Sequence, residues 1–139
     1  MSYKIISKFI KDISFEIPNT KAFVMLEKEI ANYALNFDIK SNTYKKNIIE
    51  VNTTLKISPN ENVKHKILTE ITCTTLVSIE KNFEDKKELE KIILIQIPTE
   101  IYPTLYETFV YLFTKAGVKN IQIHKEVNFE KLYNERKNN

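Results

Sequence analysis

The residues best equipped for chemistry in this chain are one cysteine, Cys73, two histidines, His65 and His124, and acid clusters such as Glu84-Asp85 and Glu88 with Glu90. A cysteine and a histidine make a nucleophile and its base only within hydrogen-bond reach. His65 and Cys73 fall in one predicted strand, separated by roughly 26 Å of extended chain, and His124 is distant in sequence. A lone thiol forms no internal disulfide and no zinc cluster. Cys73 therefore reads as a small side chain packed in a strand, and each histidine as a strand residue rather than a metal ligand. Ser2, Ser7, Ser14, Ser41, Ser58 and Ser78 lack the glycines of a nucleophile elbow. The single glycine, Gly117, also excludes phosphate-cradling loops, which need several at fixed offsets. The acid clusters sit where a helix N-terminus favours carboxylates. No catalytic residue, metal or cofactor is expected, and the chain is not expected to be an enzyme.

The charge pattern reads as a solvated surface, and no nucleic-acid partner is expected. The net charge of +3 comes from 21 basic and 18 acidic residues interleaved along the chain. Nucleic-acid binders concentrate positive charge on one element. Lys4, Lys8 and Lys11, and the tail with Lys125, Lys131, Arg136 and Lys137, come nearest, but both stretches contain acids. The longest apolar run, Ile92–Ile95, is too short to cross a bilayer. No signal peptide is evident, so a cytoplasmic protein with no stable membrane insertion is expected.

The elements that position these groups begin with strands. Ile13, Phe15 and Ile17 alternate with Asp12, Ser14 and Glu16, until Pro18-Asn19 ends the run. Tyr33, Leu35, Phe37 and Ile39 form a second alternating set, and Ile49, Val51, Thr53, Leu55 and Ile57 a third. A turn at 58–62 precedes the fourth, Val63, His65, Ile67, Thr69, Ile71, Cys73, Thr75, Val77 and Ile79. Asp85 then caps a helix with Leu89, Ile92 and Ile93 at helical spacing. Pro98 and Pro103 bracket an irregular elbow, and a second helix is predicted from Pro103 to Gly117. A short amphipathic segment, Val127–Tyr133, leads to a polar tail from about residue 134.

The pattern predicts a single α+β domain over 1–139, a four-stranded antiparallel sheet meander followed by two main helices. Most of the seven tyrosines and eight phenylalanines are expected in the core. Tyr33, Leu35 and Phe37, with Phe129, Leu132 and Tyr133, are expected to line an adaptable apolar groove for unfolded polypeptide. Apolar helices and sheet together call for a second copy, so a homo-oligomer is expected.

Four segments then identify a resemblance. Lys11-Asp12-Ile13-Ser14-Phe15-Glu16-Ile17-Pro18 resembles the first-strand signature of the SecB family of bacterial export chaperones. Leu68–Ile79 resembles its fourth strand, Pro98–Pro103 the proline-bracketed stretch before its long helix, and Val127–Tyr133 its C-terminal signature. The resemblance implies a SecB-like dimer of dimers. Such a tetramer is an ATP-independent chaperone that holds unfolded preproteins in a translocation-competent state and delivers them to the SecA translocase. It also implies that Asp12, Glu16, Leu68 and Glu70 form the SecA-binding patch. This chain departs from the family in its basic balance, its lack of an acidic tail, Thr74-Thr75 in place of paired glycines, and Tyr106 in place of an arginine. SecB-like chaperones dedicated to one partner, such as an antitoxin, remain an alternative, as does an oligomeric scaffold with no export role.

Overall fold

The computed structural model describes residues 3–30, 33–59, 66–80, 85–119 and 123–137, the Glu27 side chain excepted. Strands β1 (Tyr3–Glu16), β2 (Tyr33–Lys45), β3 (Ile48–Pro59) and β4 (Leu68–Ile79) form one antiparallel sheet in the order β1-β4-β3-β2. Strands β2, β3 and β4 are the expected meander, and β1 lies outside β4. Between β1 and β2 the chain forms α1 (Thr20–Glu29), whose first turn is capped by Asn19, its Oδ1 accepting from the Ala22 N–H at 2.8 Å. Thr20–Glu29 has no period-two alternation; Ala22 and Leu26, four apart, are the residues α1 buries in the core. The expected strand positions Val63 and His65, and Ile121-Gln122, lie outside the described residues.

Register decides which side chains face the helices. Opposed residues share a face, so Thr69, Ile71, Cys73, Thr75, Val77 and Ile79 look inward with Ile57, Leu55, Thr53, Val51 and Ile49 of β3. In β2 the same side carries Tyr33, Leu35, Phe37 and Ile39. Two irregularities in β1, between Ile5 and Ser7 and between Ile10 and Asp12, change the parity of that strand. Its inward set is therefore Tyr3, Ile5, Lys8, Ile10, Ile13 and Phe15, opposite the odd-numbered residues of β4. Ile13, on this edge strand, still exposes 45% of its surface. Cys73 is fully buried, as a packed strand residue. Burial pushes its thiol above the usual range, only partly opposed by the nearby Lys8 ammonium.

The helical layer departs from the expected elbow. Helix α2 (Lys86–Lys91) starts at Asp85, whose side chain accepts from the Lys87 and Glu88 N–H groups at 3.1 and 3.2 Å. A π-turn (Ile92–Gln96) follows, and α3 runs from Ile97 to Lys115, straight through both prolines. Pro98 stands in the first turn of α3, where its missing N–H matters least. Pro103 is inside the helix, but it and Thr99, whose carbonyl loses a donor, are both exposed. The carbonyl is open to solvent there, and the helix continues without a break. Gly117 ends α3 at φ 95°, with the Val118 N–H bonded to the Phe113 carbonyl and the Gly117 N–H to that of Thr114, a Schellman close. Helix α4 (Phe129–Lys137) ends the described fold.

Gly117→Ala should lower unfolding stability by about 1–2 kcal/mol, because a Cβ is strained at positive φ. It would also meet the Phe23 ring at 3.7 Å. Urea unfolding monitored by circular dichroism measures the loss.

Candidate functional site

Helix α3 seats mainly on the inner faces of β3 and β4 and meets the inner face of β2 through Tyr102. Further cover for that face comes from α4, which begins where Asn128 Oδ1 accepts from the Lys131 N–H at 3.0 Å. Phe129 and Tyr133, four apart on α4, are buried, while Leu132 stays 39% exposed. The closure is incomplete. A groove of ≈ 810 Å³ remains, floored by Leu35, Phe37 and Ile39 and roofed by Phe129, Leu132 and Tyr133. Its end wall includes Leu94 of the π-turn.

Aromatic contacts hold the roof to the floor. Phe37 meets Phe129 edge-on at 4.9 Å and Tyr102 at 5.7 Å, and Tyr102 meets Phe129 at 6.1 Å. Such pairs contribute about 0.5–1.5 kcal/mol each beyond burial. Tyr102 also donates its hydroxyl to the His124 carbonyl, tying the connector ahead of α4 to α3. Burial, and secondarily Tyr106, push the Tyr102 phenol up to about 12. His124 is thus a connector residue at the groove, not the expected strand residue, because its backbone accepts from Tyr102 rather than pairing in the sheet.

Five of the six anticipated groove residues come together: Leu35, Phe37, Phe129, Leu132 and Tyr133. Tyr33 stands apart. Its hydroxyl accepts from the Ile67 N–H at 3.1 Å, which fastens the start of β2 to the chain entering β4. Periodicity misses Leu94, which lines the groove, and Tyr102, which packs behind it on Phe37 and Phe129. Tyr102 lies between two prolines that look like helix breakers, and Leu94 in a turn of irregular pitch. Around the rim Glu90, Glu126 and Glu135 are balanced by Lys131, Arg136 and Lys137. Apolar area, not net charge, therefore dominates what the groove offers. Strand β2 is also a sheet edge, with one side of its backbone outside the ladder, as an added strand requires.

The opposite face of the sheet is polar. Thr74 donates to Asn52 Oδ1 at 2.6 Å, and the hydroxyls of Thr54 and Thr72 lie 2.8 Å apart. The same face gathers the four residues anticipated as a second contact surface. Glu16 stands opposite Leu68, Ser14 opposite Glu70, and Asp12 opposite Thr72. Asp12, Glu16 and Leu68 are exposed and Glu70 half-exposed. Glu16 thus stands directly across from an outward leucine that is 54% exposed, Glu70 two residues along from it, and Asp12 further along the same face.

Among the described residues no cluster of His, Cys, Asp and Glu could hold a metal ion, and no helix is long and apolar enough to cross a membrane. The family model for preprotein translocase subunit SecB matches residues 1–139. A Pelagibacter ubique protein, provisionally named as protein-export protein SecB, is 43% identical over 99% of this chain and 98% of its own length. Protein-export protein SecB of Burkholderia lata is 27% identical over 92% of this chain and 78% of its own length. The solved SecB-like chaperone of Mycobacterium tuberculosis, in complex with a ChAD peptide from the HigA1 antitoxin, superposes with a TM-score of 0.64 at 12% identity. That superposition covers 88% of this chain and 89% of the other, and it shows the shared fold.

The folded protein holds the Tyr102 proton more tightly than the unfolded chain, whose phenol titrates near pH 10. The corresponding stability is fully present below pH 10 and is lost as pH rises from 10 towards about 12. Tyr102→Phe should cost about 1 kcal/mol at neutral pH and flatten this alkaline loss. Urea midpoints measured across that pH range check both.

Proposed function

The chain belongs to the SecB family of protein-export chaperones, and we propose that it holds non-native polypeptide in the groove between β2 and α4. The observation that carries this reading is the groove itself, an apolar floor and roof beside an unpaired strand edge. Unfolded chains share little but a backbone and scattered apolar side chains. A surface that buries area without fixed polar demands, next to free backbone groups, suits such varied partners. Adaptability follows from a roof supplied by a short helix held mainly by Phe129 and Tyr133.

Delivery to SecA is the further part of the proposal, supported by the shared face of Asp12, Glu16, Leu68 and Glu70. This patch is on the side of the sheet away from the groove, so a translocase motor and a held precursor would not compete for surface. Assembly with further copies, as a dimer of dimers, is supported by apolar groups left exposed on edge strand β1, Ile6, Phe9 and Ile13 among them. A cytoplasmic location fits both roles.

A second reading has its own support. The Mycobacterium tuberculosis relative in fold was solved with an antitoxin peptide, so a chaperone reserved for one partner is the competing proposal. The net charge of +3 is compatible with it.

Aggregation suppression separates these readings. The protein at one tetramer per client should prevent aggregation of a chemically unfolded precursor, and Leu132→Asp should reduce that protection at least fivefold by placing a charge in the groove. Protection of one co-encoded protein alone would favour the dedicated chaperone. Glu16→Lys and Glu70→Lys should abolish SecA binding in a pull-down while leaving client protection intact.

A further inference from the structure

The buried stripe of the long helix changes step at one place. Phe113, Phe109, Leu105, Ile101 and Ile97 recur every four residues, all at most 2% exposed. The next buried residue is Ile92, five positions back and 1% exposed. The Ile97 N–H donates to the Ile92 carbonyl across the same interval. That is a π-turn, one residue more than an α-turn holds. Pro98 gives a physical cause. It has no N–H to donate, and its ring crowds the carbonyl four residues earlier in an α-helix, that of Leu94. A wider turn relieves this crowding. With a step of four the core seat would fall to Ile93; with five it falls to Ile92, Ile93 packs against the core only partly buried, and Leu94 lines the groove.

The π-turn touches both β2 and α4, and Leu94, half-buried, faces the groove. We infer that the π-turn is the device that presents Leu94 to the bound polypeptide, making Leu94 a client-contacting residue that shapes which apolar side chains the groove accepts. The inference rests on the groove being the polypeptide site. The occupant is an extended apolar segment of a non-native protein, since the rim charges balance and floor and roof are apolar. A leucine on the end wall favours branched aliphatic and aromatic residues over small ones at the adjacent client position, by the area it buries.

A photo-crosslinking amino acid placed at position 94, at 132 and at 56 distinguishes the possibilities, with reduced carboxymethylated α-lactalbumin as the unfolded probe. Lys56, on the outer face opposite Glu70, is the negative control. Cross-links at 94 and 132 but not at 56, with affinity reduced roughly tenfold in Leu94→Ala and restored in Leu94→Met, are the expected results. Leu94→Met keeps the volume, and an unchanged urea midpoint in Leu94→Ala separates lost contact from lost folding. Cross-links at 132 alone, with unchanged affinity in Leu94→Ala, overturn the role of the π-turn and leave the groove standing. Cross-links at neither position overturn both.

Discussion

The seating of one helical stripe, Ile92 through Phe113, on the inner faces of β3 and β4 is the constraint from which the rest of the structure follows. Six large side chains at most 2% exposed face the inward residues Val51, Leu55, Ile71, Cys73 and Val77, all of them fully buried. Fully burying such a side chain contributes about 1.5–3 kcal/mol relative to exposure, so this contact sets where the helical layer lies. The same helix also reaches edge strand β1 through individual side chains, but it meets edge strand β2 by the Tyr102 ring. At β1, Phe15 meets Phe113 at 5.0 Å while the Tyr3 hydroxyl donates to Glu100 and Lys8 to Thr104. At β2, α4 and the π-turn reach over the floor without closing it, and the groove is what remains.

Parity separates the two surfaces. In a strand, neighbouring residues point to opposite faces, so the alternation that sends Leu35 and Phe37 into the groove sends Asn36 and Asp38 outward. The same rule sends Phe15 to the core and Glu16 to the outer patch. The irregularities in β1 matter here, since they keep Tyr3, Ile5, Ile10 and Ile13 inward despite their mixed numbering, while unbroken alternation from Asp12 to Glu16 puts those two carboxylates on the same outer side. The polar outer face and the apolar inner face are thus two independent surfaces of one sheet.

Much of this was legible in the residues because strands advertise their faces. The alternating sets in β2 and β3 read directly as inward rows, and the antiparallel sheet followed by helices came from the change of period after Ile79. Of the groove residues, Leu35 and Phe37 came from the alternation in β2, and Phe129, Leu132 and Tyr133 from the amphipathic segment near residue 130. What stayed hidden depended on contacts distant in sequence. Tyr33 looked like its groove neighbours, and only its bond to the Ile67 N–H draws it elsewhere. Pro98 and Pro103 looked like breakers, because a sequence does not reveal that one occupies a first turn and the other a wet helix face. His124 looked like a strand residue until Tyr102 claimed its carbonyl. Helix α1 carried no alternation and only two core-facing residues, too faint a stripe to identify.

The central claim is that polypeptide is held on the inner side of β2 and not on the outer face of the sheet. Methyl-detected NMR of the assembled protein titrated with an unfolded client segment tests it most directly. The account predicts perturbation of the Leu35, Ile39, Leu94 and Leu132 methyls, with Leu68 and Leu76 on the outer face unchanged. Perturbation of Leu68 and Leu76 with an undisturbed groove would contradict it.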